Sequence, residues 1–450
     1  MTNYNKSIFI FRRDYRCNDN TGLLKALKNS NEVYPIFIYN PIQIDNDKNT
    51  FKSNNSVQFM IESLEHLKNN INMQFFYRTD IDVLSEIIKK YKIDAIYTNT
   101  DYTPFSVKRD KNLKDFCKKN EIDCYCEHDI CLFEPGSIKV SSTNQAYKKY
   151  SPFRNKCLEL DVRKVEKCNK VLLKKCKKIN NVKYILENNK EKTFYKKNDN
   201  ISVNGGRDKA LKILDKIGEF KTYKTDRDYL SKKTTFMSAY LKYGCISIRE
   251  AYTAIKNKFG KNTPLIHQLI WRDFYYHLGY EYIDRFGKSF KPKYDNIVWN
   301  NNKKEFEKWK KGETGFPIVD ACMKQMNTTG YMHNRGRMIV ASFLIKNLQI
   351  DWKWGEKYFA QSLVDYDVLV NQGNWQWVSG SGADSQQYIR IFNPWTQSYK
   401  FDKCGEYQDH WLDKKKKDNP TEYHDEKYHD TMIDYKKSRD VTLKMYKKYL

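Results

Sequence analysis

Residues 316–377 read FPIVDACMKQMNTTGYMHNRGRMIVASFLIKNLQIDWKWGEKYFAQSLVDYDVLVNQGNWQW. Apolar residues recur at helical spacing in two segments, and Asn327-Thr328-Thr329-Gly330 is the predicted turn between them. The second segment carries His333, Asn334, Arg337 and Met338, whose spacings group them on one side of a helix. Tryptophan pairs follow at Trp352/Trp354 and Trp375/Trp377, with Asp365, Asp367 and Asn371 between them. A packed helical core with satisfied polar groups explains any one of these residues. It explains the set less well, because so many polar groups on apolar helices each need a partner.

Outward from this stretch the chain changes character. From Gly206 to the end it is mainly helical, with short turns at Tyr243-Gly244, Phe259-Gly260 and Lys311-Gly312. All nine tryptophans fall between Trp271 and Trp411. In the N-terminal part, apolar runs at Ser7–Phe11, Val33–Tyr39, Met73–Tyr77, Ala95–Asn99 and Ile122–Cys126 alternate with helical patterns. The helices are expected near Gly22–Lys28, Asn55–Asn69, Asp82–Lys90 and Val107–Lys119, the second with a stripe of Val57, Ile61, Leu64 and Leu67. Such alternation predicts a doubly wound parallel sheet, which binds ligands beyond the carboxyl ends of its strands. The expected architecture is α/β plus all-α: a Rossmann-like sheet domain over residues 1–130, a Lys/Asn-rich connection over 131–205, and a helical domain over 206–450. The connection is expected to run over the surface, in part disordered, and the charged FRRDYRCNDN loop after the first strand reads by itself as a solvated turn.

A formal charge of +26 over 450 residues points to a polyanionic partner, nucleic acid before an anionic membrane. Biased residue usage explains the lysines equally well. No glycine-rich dinucleotide fingerprint or P-loop is present, and the cysteines lack zinc-site spacing, so no metal is expected. The short apolar N-terminus and the absence of a long apolar run predict a soluble intracellular protein, cytoplasmic or nuclear, with reduced thiols.

Three stretches together carry a resemblance: Phe316–Trp377, HQLIWRDFYYHL at His267–Leu278, and YIRIFNPWTQSYKFDKCGEY at Tyr388–Tyr407. With FRRDYRCNDN at the N-terminus, they resemble the photolyase/cryptochrome family over nearly the whole chain. The resemblance implies a helical domain holding FAD in a U shape. Thr234, Thr235, Phe236, Met237 and Ser238 resemble the family's phosphate-binding turn at a helix start, where hydroxyls and amides suit a pyrophosphate. Taken alone, that cluster is equally an ordinary N-cap. Tyr223 matches an aromatic FAD contact, Arg337 and Asp365 match the paired groups beside the isoalloxazine, and Asp367 lies near the ring edge. Asn371 matches the amide facing flavin N5; alone, before Gln-Gly, it reads as a turn residue.

Trp375, Trp352 and Trp299 match the family's electron-transfer chain from flavin to surface. Trp271 and Trp377 match the indoles lining the lesion pocket of cyclobutane-dimer photolyases, and Asn334 and Met338 match further pocket residues. Arg227, Arg335, Arg390 and Gln397 match DNA-side positions. The implied activity is that of a deoxyribodipyrimidine photo-lyase: light-driven electron transfer from excited, reduced FAD splits a flipped pyrimidine dimer in UV-damaged DNA. A monomer is expected.

Rival subtypes remain. A (6-4) photolyase typically has His-His at 333–334 and His at 338, against His333-Asn334 and Met338 here, although Gln268 is familiar in that group where cyclobutane enzymes usually place Glu. DASH cryptochromes share Asn334-Arg335-Gly336-Arg337 but usually lack His333 and Met338 and carry Tyr at 377. A signalling cryptochrome photoreceptor is the non-enzymatic alternative. The loop Asp101–Ser106 lacks the Glu that folate-binding relatives often use, which leaves a second antenna chromophore open and unidentified.

Overall fold

The computed structural model describes residues 3–385, 389–412 and 420–449. Tyr388, at the start of the third resembling stretch, and the Lys414–Lys417 run of the tail lie outside the described residues. Packing divides the chain into two compact units that interleave along the sequence. The first comprises residues 1–197, 203–219 and 236–283; the second comprises 198–202, 220–235 and 284–450. The sequence segments 1–130, 131–205 and 206–450 divide the chain by composition, whereas the units divide it by packing.

The first unit is built on a parallel sheet of order β3-β2-β1-β4-β5. Its strands are β1 (Tyr4–Phe11), β2 (Ser30–Tyr39), β3 (Gln74–Tyr77), β4 (Ala95–Asn99) and β5 (Asp123–Glu127). Ile8, Phe9, Ile10 and Phe11 are all buried, as a central parallel strand covered on both faces requires. The crossover helices Thr21–Asn29, Asn54–Lys68, Asp80–Lys90 and Pro104–Lys119 start where Asn20, Ser53, Thr79 and Thr103 accept a hydrogen bond from the first-turn backbone. The predicted stripe of Val57, Ile61, Leu64 and Leu67 is buried throughout.

Two expectations fail in this unit. The FRRDYRCNDN loop is not a solvated turn: Arg12, Asp14, Arg16, Asp19 and Asn20 are all buried. Arg16 donates to Asp129, and Arg249 donates to both Asp19 and Asp129 at 2.7 Å. Burial alone would raise the Asp129 carboxyl, yet Arg16 and Arg249 outweigh it and hold the group well below the usual carboxylate range. The connection is also more ordered than its composition suggests. Its chain pairs with Val33 of β2 around Cys176, then with β3, where Tyr77 N–H donates to Tyr184 O and Leu186 N–H to Phe75 O. Cys176, Ile179, Val182 and Leu186 anchor it by burial while its lysines stay outside. A few apolar residues at the right register suffice to seal a sheet edge.

The second unit is helical, around a core that includes Trp309, Phe316, Met323, Ile339, Leu344, Phe359 and Trp375. Helix Pro317–Thr329 continues through Asn327 and Thr328 and ends at Gly330, whose φ of 67° lets the chain reverse. The predicted turn is thus narrower than four residues. Gly336 on the next helix, Asn334–Ser342, lies close against Cys322, where a Cβ would approach the sulfur to 2.8 Å. That close approach sets helix Asn334–Ser342 tightly against helix Pro317–Thr329.

Candidate functional site

Helix Asn334–Ser342 begins at His333, whose Nδ1 accepts the Arg335 N–H at 3.1 Å as an N-cap. One turn on, Arg337 donates from Nε to Met332 O at 2.8 Å and from Nη2 to both oxygens of Asp365 at 2.9–3.0 Å. Its guanidinium also sits 5.4 Å from the Tyr331 ring centroid, and the Tyr331 hydroxyl pairs with Thr234 Oγ1 at 3.2 Å. Asn334 and Met338, one turn apart, meet through the Asn334 amide and Met338 Sδ at 3.8 Å. The grouping predicted on one side of this helix therefore separates into two functions: Arg337 turns to the carboxylate, and Asn334 with Met338 forms the more exposed rim.

Asp367 caps helix Val368–Ser379, on which Asn371, Trp375 and Trp377 follow at one-turn and two-residue steps. Asn371 lies inside this helix rather than in a turn. Its amide donates to Glu356 Oε1 at 3.0 Å, and the Tyr366 hydroxyl donates to the same oxygen at 3.3 Å. Burial pushes the Glu356 carboxyl up to about 7, with Asn371 and Tyr366 offsetting part of the rise. Glu356 is a site residue that motif resemblance does not reach. A signal for it exists in the sequence, because it occupies the apolar stripe Trp352, Gly355, Glu356, Phe359, Ala360 of helix Trp352–Ser362.

Trp375 and Trp352 are deeply buried and Trp299 only partly so. Trp375 fits because residue 355 is glycine; a Cβ there would lie 2.2 Å from its ring. Trp309, also outside the residues expected at the site, stands edge-on to Trp375 at 6.5 Å. Trp377 is partly buried and donates from Nε1 to Asp384 O at 3.3 Å.

The remaining predicted residues are distributed as follows. Burial pushes the Tyr223 phenol up to about 12 against the pull of Arg227 nearby. Phe236 takes a φ of 53°, and helix Ser238–Lys242 starts after Met237 with no side-chain cap. The N-cap position of that helix is thus Met237 and not a Thr or Ser of the cluster. Between Thr235 and Phe236 the chain passes from the second unit to the first. Arg335 donates to Asp228 at 2.7 Å and lies 4.1 Å over the Phe401 ring; Gln397 turns its Oε1 inward, and Arg390 is exposed beside Phe392. Gln268 and Trp271, three residues apart on helix Pro264–Glu281 of the first unit, are both partly buried.

The residues of the second unit fit a bound flavin on one observation. His333 is buried and its imidazole is pushed down to about 4 by burial, with Asp228 opposing and Arg335 and Arg337 adding to the fall. With Nδ1 accepting, the proton sits on Nε2, a buried donor with no hydrogen-bond partner among the described residues. Beside it the Arg337 side chain, paired to Asp365, stays 25% exposed, so its cation remains open to an acceptor-rich ligand. Among the described residues no cluster could hold a metal ion, and no helix is long and apolar enough to cross a membrane.

Comparison with known proteins agrees with this fold. Residues 7–170 match the DNA photolyase family model and residues 265–449 the FAD binding domain of DNA photolyase. The deoxyribodipyrimidine photo-lyase of Buchnera aphidicola subsp. Baizongia pistaciae is 35% identical, over 88% of this chain and 86% of that protein. The archaeal photolyase of Sulfolobus tokodaii, solved with two FAD molecules, superimposes with a TM-score of 0.87 at 35% identity, covering 98% of this chain and all of the other. A Synechocystis cryptochrome also gives a TM-score of 0.87, at 25% identity over 99% of each chain. The fold and the match to an FAD-binding domain thus define a flavoprotein with FAD as cofactor. The chain belongs to the DNA photolyase family, and with it to the lyases.

Proposed function

We propose that this protein repairs cyclobutane pyrimidine dimers in DNA under light. The reading is carried by helix Asn334–Ser342, which combines the Arg337–Asp365 pair with an Asn334–Met338 contact one turn apart; Met338 is the residue type that both family rivals lack, and Asn334 the one that the (6-4) enzymes lack. Relatives named deoxyribodipyrimidine photo-lyase support it.

FAD bound in the helical domain supplies, when excited in its reduced form, the electron that opens the cyclobutane ring. Arg337, Asp365, Asp367, Tyr223 and the Thr234–Ser238 segment would hold that cofactor. The Asn371 amide, fixed by Glu356, orients its remaining acceptor. Trp375, Trp352 and Trp299 pass electrons inward from the exterior to restore the reduced state. Trp271, Trp377, Asn334, Met338 and Gln268 receive the flipped dimer, whose flat rings suit apolar indole walls. Arg227, Arg335, Arg390 and Gln397 serve the surrounding phosphates. Two carbon–carbon bonds break and the electron returns, so no net redox change occurs.

The test is to illuminate the photoreduced protein with blue light on DNA carrying either a cyclobutane thymine dimer or a (6-4) product, and to count restored thymines by chromatography. Repair of the cyclobutane lesion alone is expected. Repair of the (6-4) product alone would reassign the lesion. A second reading, a cryptochrome photoreceptor, is favoured by the likeness to the Synechocystis protein. Photoreduction without repair of either lesion would establish it.

A further inference from the structure

Tyr150 opens helix Tyr150–Glu159 and is buried. Its ring lies flat on the indole of Trp271, with centroids 3.5 Å apart and planes within 8°. Neutral aromatic rings prefer an offset or edge-on arrangement to a face-to-face sandwich. Surrounding contacts therefore impose this one. The Tyr150 hydroxyl donates to His267 O at 2.8 Å, a carbonyl one helical turn before Trp271 and immediately before Gln268. Phe274 meets both rings edge-on, at 5.9 Å from Tyr150 and 5.7 Å from Trp271. Phe153 backs Phe274 at 5.4 Å. Trp271 itself stays only partly buried. A sandwich made solely to fill a core would bury both partners; this one buries the tyrosine and leaves the tryptophan partly open.

We infer that Tyr150 is a positioning residue for lesion recognition: it props the Trp271 indole from behind and, through His267, fixes the turn that presents Gln268. The inference rests on the reading that Trp271 lines the lesion pocket. With the prop in place the indole is already ordered before DNA arrives, so binding does not have to immobilise it. Without the prop, ordering Trp271 becomes part of the binding step. The flat ring carries the effect, and the hydroxyl contributes registration only.

The experiment measures dark binding of the flavin-loaded protein to a duplex with one cyclobutane thymine dimer and to the undamaged duplex, alongside the efficiency of splitting once the dimer is bound. Tyr150→Leu is expected to weaken dimer binding roughly tenfold, about 1.4 kcal/mol, within the range that stacking of one base supplies. Undamaged-DNA affinity, flavin content and splitting efficiency stay unchanged. Tyr150→Phe keeps most of the discrimination, and Tyr150→Met, which fills the volume without a flat face, repeats the loss should the leucine variant not fold. Phe153→Leu is the packing control: it lowers thermal stability without altering discrimination. Parental discrimination in both Tyr150→Leu and Tyr150→Met overturns the inference, as does an equal loss in Phe153→Leu. Trp271→Ala, run in parallel, separates the two levels. If it loses discrimination while the Tyr150 variants keep theirs, only the role of Tyr150 fails; if it keeps discrimination, the pocket reading itself fails.

Discussion

Two arginines in this protein meet carboxylates in opposite ways. Arg249, in the first unit, is 1% exposed at its side chain and engages every guanidinium nitrogen: Nε to Asp19, Nη1 to Asp129 O, Nη2 to Asp129 Oδ1 and Asp19 O. Arg337, in the second unit, bonds through Nε and Nη2, and its side chain stays 25% exposed. Its neighbour His333 holds a buried donor without a partner among the described residues. A closed ionic network fixes architecture, because burying charges is tolerable only when each is matched. An incompletely matched one is poised for something the chain itself does not supply.

The largest expected effect follows from breaking the closed network. Arg249→Met takes from Asp19 its 2.7 Å partner and leaves Asp129 with Arg16 as its remaining arginine, and should destabilise the protein by about 3–5 kcal/mol, read from urea unfolding. Arg337→Met is expected to cost less in stability, under about 2 kcal/mol, but to release flavin, seen as a falling flavin-to-protein absorbance ratio. A reversal of that pattern would erase the distinction between the two arginines.

Next in size is Gly355→Ala. Its new methyl would collide with the Trp375 ring, so a loss of about 1–3 kcal/mol is expected, with perturbed tryptophan fluorescence as the specific sign.

A pH experiment sharpens the contrast between Glu356 and Asp129. Glu356 has its carboxyl raised from 4.5 to about 7, so the folded state holds its proton more tightly than the unfolded chain does. Its contribution is greatest at low pH and declines as pH rises from 4.5 through 7. Asp129, held low, contributes in the opposite sense, with stability present above the unfolded value and lost as pH falls. Glu356→Gln keeps an acceptor for Asn371 and Tyr366 but removes the titration. Thermal unfolding of that variant should therefore decline less between about pH 5 and 8 than the parent's, a window set by the Glu356 values. The smallest expected change in stability is that of Asn334→Ala, within about 0.5 kcal/mol because the side chain is exposed, while dimer-containing DNA binds more weakly in a gel-shift assay.

The contrast also explains what the sequence disclosed. The sheet was legible because Ile8–Phe11 and Ala95–Asn99 are continuous apolar runs separated by amphipathic helices, a pattern with few alternative folds. The arginine–aspartate pair at 337 and 365 was legible through motif resemblance, and the structure brings the two into contact. Three features were not. The charges of the FRRDYRCNDN loop look solvated until Arg249 arrives from far along the chain. Glu356 looks like one more charge on a surface helix until its stripe is counted. Tyr150 sits in a turn-rich segment whose partner lies 121 residues away, and stacking across such a distance leaves no periodic trace. Long-range pairing, rather than local propensity, was the missing information in each case.

The lysine-rich segment that lies along β3 bears on how the chain can be shortened. A spacer tolerates trimming in proportion to its length, but residues 184–186 supply main-chain partners to Phe75 and Tyr77. Deleting them would bare a strand flank studded with unsatisfied amides and carbonyls, ready to template a neighbouring copy of the protein. Anyone engineering a smaller scaffold would then be trading a floppy-looking loop for fibrils, and the cut would have to fall elsewhere.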